Sequence, residues 1–221
     1  MLYIVSTPIG NLKDITLRAL EVLKSADLIA CEDTRHTRIL TNHYQIATPL
    51  TSYFEYNKIT KGEYLLRLLK EGKNIALVCD AGTPGINDPG YHIIKLACDN
   101  HIPLTAIPGP CALINALALS GAPGEKFVFE GFLSNKSQAR IKRLKALVTE
   151  NRTIVLYESP HRLLKLLANI SEVFGEREII CVREATKKFE EIKKGKAGAL
   201  IEHFKEHPPR GEFVVLVPPR P

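Results

Sequence analysis

Short apolar runs alternate with amphipathic stretches along the first half of the chain. LYIV at the N-terminus reads as a strand and is followed by the loop STPIGNLKD. Leu17, Leu20 and Leu23 then recur at helical spacing, with Asp14 and Thr16 offering N-cap oxygens as acceptors. ADLIAC is a second strand, EDTRHT a polar stretch, and ATPLTSY a third strand. Residues 57–72 predict a helix with Tyr64, Leu65, Leu68 and Leu69 inward. NIALVC (74–79) is apolar after its first residue, as in a parallel strand covered on both faces. After the loop DAGTPGINDPG come a helix over about 90–99, a strand in PLTAI, the turn PGP, and a helix in CALINALALSG that ends at Gly121. This rhythm implies βαβ units and a mostly parallel sheet.

The segment GAPGEK punctuates the pattern. It divides the chain into an expected N-terminal α/β domain, residues 1–121, and a C-terminal α/β domain, residues 122–221. The second half reads as a strand in FVFEGFL, a helix over 136–150, a strand in TIVLYE, and the helix HRLLKLLANISEVFG closed by Gly175. Strands in EIICV, FEEIKKG and GEFVVLV and a helix over 196–206 complete it. These shorter runs predict a mixed sheet.

Charge is distributed unevenly. Residues 1–121 hold eleven Lys/Arg and eleven Asp/Glu, so nineteen and thirteen remain for residues 122–221. The whole excess of +6 lies in the second half, which suggests a polyanionic partner there. The five cysteines stand far apart with no metal-ligand spacing, which fits free thiols in a reducing compartment. Cys31, Cys79 and Cys181 follow apolar runs and read as buried structural thiols. Neither a signal peptide nor a membrane-length apolar run is present, so a cytoplasmic location is expected.

Two loops leave the C-terminal ends of predicted strands, the edge where open α/β sheets bind ligands. They are STPIGNLKDIT and CDAGTPGINDPG. In the second, Gly82, Gly85 and Gly90 permit close backbone approach, Pro84 and Pro89 stiffen the loop, and Asp80 and Asp88 supply acceptors. A stiff loop with carboxylates and no lysine suits a polar, partly cationic small molecule better than a polyphosphate. Neither GxxxxGK[ST] nor GxGxxG occurs. Pro108, Gly109 and Pro110 stand just before a helix whose free N–H groups could bind an anionic group. Cys111 lacks the His or Asn spacing of a nucleophilic cysteine.

Taken together, STPIGNLKDIT, CEDTRHT, DAGTPGINDPG, IPGPCALINAL, FEGFL, YESPHRL and REATKKFEE resemble the ribosomal RNA small-subunit methyltransferase I family. That family belongs to the tetrapyrrole methylase-like, class III S-adenosylmethionine-dependent methyltransferases. The resemblance runs from Leu2 to about Val217, and many family members continue past the final strand where this chain stops at PPRP. It implies two α/β domains with the cofactor cleft between them, a homodimer, and 2′-O-methylation of a cytidine in small-subunit ribosomal RNA, presented free or in the assembled subunit. It further implies that Pro8, Ile9, Gly10, Asp80, Gly82, Thr83, Ile86, Cys111, Ala112, Phe132, Tyr157 and Val182 line the S-adenosylmethionine site.

A ribose 2′-OH is a weak nucleophile at neutral pH, so a base is expected to help. Glu184 and Glu32 are the candidate bases, with Arg35 and Lys187 as candidates for holding RNA phosphates. His161 reads as a helix-cap residue. Lys136, Arg140 and Arg143 fall on one face of the helix 136–150, with Lys142 and Lys145 flanking and Ile141, Leu144 and Val148 facing the core. Lys187, Lys188, Lys193, Lys194 and Lys196 form a second basic cluster suited to phosphate. The alternatives are a tetrapyrrole methyltransferase, whose substrate carboxylates also need cations, and a non-catalytic RNA-binding module.

Overall fold

The computed structural model describes residues 1–220 and divides into two compact units, Met1–Cys111 and a second beginning at Ala112. Five strands form the first unit's sheet: β1 (Leu2–Val5), β2 (Leu28–Cys31), β3 (Leu50–Ser52), β4 (Ile75–Leu77) and β5 (Leu104–Ile107). Their order is β3-β2-β4-β1-β5, and every pairing is parallel. Side chains alternate between two cores. Val5, Ile29, Cys31, Ala76 and Val78 face one side, where α1 (Leu17–Ser25) adds Ala19 and Leu23 and α2 (Thr34–His43) adds Leu40. Leu2, Ala30, Ile75 and Leu77 face the other, where α3 (Lys58–Lys70) adds Leu65 and Leu69 and α4 (Gly90–Asp99) adds Ile93 and Ala97. Burial on both faces explains the unbroken apolar run of NIALVC.

The first unit departs from the sequence pattern in two places. Leu17 is 80% exposed, because α1 starts there and its inner face is set by Ala19 and Leu23, while Thr16 caps the helix by accepting from Ala19 N–H. Helix α2 begins inside the polar stretch EDTRHT. Its inner face is Thr37, Leu40 and Thr41, and two threonines on that face erase the apolar periodicity.

The second sheet holds β6 (Phe127–Phe132), β7 (Thr153–Glu158), β8 (Glu178–Arg183), β9 (Glu191–Lys196) and β10 (Phe213–Val217), in the order β6-β7-β10-β8-β9. It is mixed: β6 and β7 are parallel, and the other three pairings antiparallel. One face carries α6 (Ser137–Ala146), α7 (Pro160–Phe174) and α8 (Ala197–Glu206) over Leu156, Cys181, Phe213 and Val215. Helix α5 (Ala112–Ser120) packs against β7, β8 and β10. That packing places α5 with the second unit, so the division falls at Cys111 and not at Gly121. Cys31, Cys79 and Cys181 are buried free thiols, and burial pushes Cys181 up to about 12. No helix among the described residues is long and apolar enough to cross a membrane.

Candidate functional site

In the first unit, the loops after β1, β4 and β5 meet at the C-terminal edge of three adjacent strands. Thr7 and Gly82 exchange backbone hydrogen bonds of 2.9 and 3.0 Å. The Ser6 and Thr83 hydroxyls are 2.8 Å apart, and the Thr83 hydroxyl also lies 3.2 Å from the Pro110 carbonyl, as its donor. Gly82 needs its left-handed backbone (φ 84°), and at Gly109 a Cβ would come within 2.9 Å of the Ser6 Cβ. The three loops therefore form one joined surface. Pro8 and Ile9 are buried in the junction, Gly10 and Ile86 are exposed, and Asp80 and Thr83 are half-buried.

Asp88 has a local task. Its carboxylate accepts from Gly85 N–H at 2.9 Å and from Gly90 N–H at 2.7 Å, closing the glycine-rich loop on the start of α4. At Gly90 a Cβ would stand 2.6 Å from that carboxylate. Asp80 Oδ1 accepts from Asp33 N–H at 3.0 Å, tying the loop to the end of β2. Next to it, Glu32 lines a cavity of 430 Å³ with Glu55, Asn87, Asp88 and Pro89. Burial raises the Glu32 carboxyl above the usual carboxylate range, and the charges of Asp80 and Asp88 add to the effect. Arg35 is exposed and folds back on Asp33 through bonds of 3.1 and 2.7 Å, which hold Asp33 well below the usual range.

In the second unit, a bulge between Phe129 and Gly131 in β6 re-aims Phe132, which is 50% exposed. Phe129, Phe132 and Tyr157 form an aromatic group, with ring centroids 4.9 and 5.7 Å from Tyr157. The Tyr157 hydroxyl accepts from Leu113 N–H at 3.2 Å, near the start of α5. Val182 is buried in β8. Cys111 and Ala112 are half-buried and stand on either side of the division between units.

Glu184 is gripped. Lys187 Nζ lies 2.8 Å from its carboxylate and 2.9 Å from Glu212, and Glu212 N–H donates to Glu184 at 3.0 Å. A Cβ on Gly211 would overlap the Glu184 carboxyl group. Partial burial alone would raise this carboxyl, but Lys187 and the Glu212 N–H outweigh it and the net direction is down.

Arg140 corrects the expected basic face of α6. It is 3% exposed, its Nε donates to Asn169 at 2.7 Å, and its Nη1 to Ser134 O at 3.3 Å. Arg140 and Leu144, one turn apart, form the buried side of α6, so Arg140 presents no surface to phosphate. Arg143 is partly exposed but forms a two-bond pair with Glu130 at 2.6 and 2.7 Å. Lys136, Lys142 and Lys145 are exposed and make no ion pair among the described residues. Below them, Glu158 is buried beside Arg162, whose Nε lies 3.2 Å away and whose Nη2 donates to Leu133 O.

Glu55, Asn87, Gly211 and Glu212 were not singled out in the sequence. Glu55 and Asn87 reach the cavity through loops whose path has no periodic signal. The charged run REATKKFEE hinted at a clamp, but its partner Glu212 is 28 residues from Glu184.

A family model described as tetrapyrrole (corrin/porphyrin) methylases matches residues 1–201. The chain is 49% identical to the "Ribosomal RNA small subunit methyltransferase I" of Thermotoga maritima, covering 98% of this chain and 97% of that protein. It is 51% identical to the protein of the same name from Escherichia coli O157:H7, covering 98% of this chain and 77% of that one. Among solved structures, a diphthine synthase superposes with a TM-score of 0.75 at 16% identity, covering 98% of this chain and 89% of that chain. A Thermus thermophilus uroporphyrin-III C-methyltransferase, complexed with S-adenosylhomocysteine, gives 0.69 at 16%, covering 98% and 96%. These two likenesses concern the fold. Identity near one half over almost the whole chain establishes closer kinship: the chain belongs to the ribosomal RNA small subunit methyltransferase I family, within the tetrapyrrole methylases.

Proposed function

We propose that the protein transfers the methyl group of S-adenosylmethionine to the ribose 2′-oxygen of a cytidine in small-subunit ribosomal RNA. The observation that carries this is the 49–51% identity, over 98% of the chain, to proteins named for methylating that RNA. The residues present suit the cofactor. Gly10, Asp80, Gly82, Thr83 and Ile86 on the first unit, and Cys111, Ala112, Phe132, Tyr157 and Val182 beyond them, would hold it. Asp80 spends one oxygen on Asp33 N–H and keeps the other, and Ile86 and Phe132 offer exposed apolar surface for a purine. When bound, the cofactor supplies a methyl already activated on a sulfonium.

The protein's part is then to orient the acceptor oxygen and take its proton. We assign the proton to Glu32, which burial and the charges of Asp80 and Asp88 make a stronger base than an ordinary glutamate. Glu184 and Lys187 hold the turn after β8 in shape, and Arg35 offers its outward N–H groups to a phosphate. Lys136, Lys142 and Lys145 supply further phosphate contacts. We place the reaction in the cytoplasm, on free RNA or on the assembled subunit. We expect a homodimer, since exposed Leu17, Ile39, Tyr56 and Tyr91 offer apolar surface to bury.

The test is incubation with methyl-labelled cofactor and either small ribosomal subunits lacking the modification or a porphyrinogen. Label in the RNA supports the reading. Label in the porphyrinogen alone overturns it in favour of tetrapyrrole methylation.

A further inference from the structure

The turn after β8 is built to keep one shape. Glu184 (φ 48°) and Thr186 (φ 67°) both adopt left-handed backbone, which is costly for residues with a Cβ. Lys187 N–H donates to Glu184 O at 3.0 Å and Glu190 N–H to Lys187 O at 3.1 Å. Thr186 N–H donates to the Glu190 carboxylate at 2.7 Å. Together with the Lys187 bridge between Glu184 and Glu212, these bonds brace the turn from residue 184 to residue 190.

What the turn displays is Lys188 and Phe189. Both are exposed, Phe189 by 63%, and the Lys188 ammonium stands 5.6 Å from the centre of the Phe189 ring. A large aromatic side chain held out in water on a rigid turn points to a partner with a flat face. The surrounding charge says which. Of the five lysines in this basic cluster, Lys187, Lys193, Lys194 and Lys196 are each paired with a carboxylate. Lys188 makes no ion pair among the described residues, so its charge is available to a phosphate beside the ring.

Strand directions extend the surface. β6 runs parallel to β7, and β7 and β8 are both antiparallel to β10, so all three end at the same edge of the sheet. That edge carries Phe132, Lys136 and His161 as well as Lys188 and Phe189. β6 and β8 are three strand spacings apart, about 14 Å. Exposed aromatics interleaved with cations are the usual means of holding single-stranded nucleic acid. Protein interfaces, in contrast, deplete lysine at their cores.

We propose that Phe189 is a stacking platform for an unpaired base of the RNA substrate, with Lys188 holding the adjacent phosphate. This rests on the RNA reading given under Proposed function.

The experiment compares full-length wild type with Phe189→Ala, Phe189→Leu, Phe189→Tyr and Lys188→Ala. The readouts are anisotropy of a labelled twelve-nucleotide oligocytidylate, KM and kcat on small ribosomal subunits, cofactor affinity by calorimetry, and sedimentation velocity. Loss of one base stack predicts weaker RNA binding by about 5- to 150-fold in Phe189→Ala and Phe189→Leu. Phe189→Tyr keeps the π-face and stays within about twofold of wild type. KM for subunits rises with kcat and cofactor affinity unchanged. Lys188→Ala lowers the salt slope by about 0.7, the share of one phosphate. If wild type methylates subunits and Phe189→Ala and Phe189→Leu match it in binding and KM, the platform is overturned while the RNA reading stands. Weakening that coincides with loss of a dimer in sedimentation overturns it too, in favour of self-association. If wild type neither binds the strand nor methylates subunits, both fall.

Discussion

Glu32 and Glu184 are both carboxylates just past the end of a strand, yet their surroundings push them in opposite directions. Glu32 is partly buried beside two other carboxylates and holds its proton more tightly than an ordinary glutamate. A base must be deprotonated, so the single-turnover rate should rise with pH through a value above about 4.3. Glu32→Gln should lower the plateau by about 10²- to 10⁴-fold. The same substitution should leave stability at neutral pH unchanged or improved, because burial penalises only the charged form. Glu184 has the opposite sign. Its lowered value means its contribution is present above the ordinary range and lost as pH falls through the folded-state value. Urea unfolding of Glu184→Gln should therefore show a loss of stability at pH 7 that shrinks in acid. A Glu184→Gln variant with no methylation and full stability would return the base to Glu184. The sequence offered both residues as equals, because the burial and the Asp80 and Asp88 charges at Glu32, and the Glu212 N–H that joins Lys187 at Glu184, come from distant parts of the chain.

At the level of elements, loops are fastened before they are used. Asp88 closes the glycine-rich loop on its own backbone, so Asp88→Ala should free two N–H groups and cost about 1–3 kcal/mol. Calorimetry should show weaker cofactor binding as the loop loses its shape. Arg162 lies against buried Glu158 and ties the β6–α6 loop through Leu133 O. Removing it leaves the buried Glu158 carboxylate with only the Ser159 N–H at 2.9 Å as donor, and Arg162→Ala should cost about 3 kcal/mol in urea unfolding. A Tm equal to that of wild type would show the pair to be dispensable. Most elements were legible from local pattern alone: continuous apolar runs in LYIV and NIALVC, and 3.6-residue spacing in α3, α4 and α7. The exceptions have physical causes. Threonines on the inner face hid α2, and an arginine turned inward on α6 because Asn169 and Ser134 O satisfy it there. No local pattern marks an arginine as buried when its partners lie on other elements.

For the whole molecule, the excess of cations in the second half gains a more restricted meaning. Arg140 is internal, Arg143 serves Glu130, and four lysines around β9 are engaged by carboxylates. RNA binding should then weaken linearly in log–log salt plots with a modest slope, set by Arg35 and the unpaired Lys136, Lys142, Lys145 and Lys188. Lys136→Glu with Lys142→Glu should reduce both affinity and slope, whereas Arg143→Glu should act mainly by breaking its pair with Glu130. A small, partly cationic ligand was legible from the glycine-rich loop and its strand, while the identity of the cofactor and of the acceptor came from family resemblance. The reaction is therefore best tested on its product. Ribosomal RNA of small subunits incubated with the protein and labelled cofactor should be digested and its nucleosides separated by mass spectrometry. Wild type should form one labelled nucleoside, 2′-O-methylcytidine, and Glu32→Gln far less of it. Label on a base, or an unmodified RNA with the cofactor bound, would contradict it.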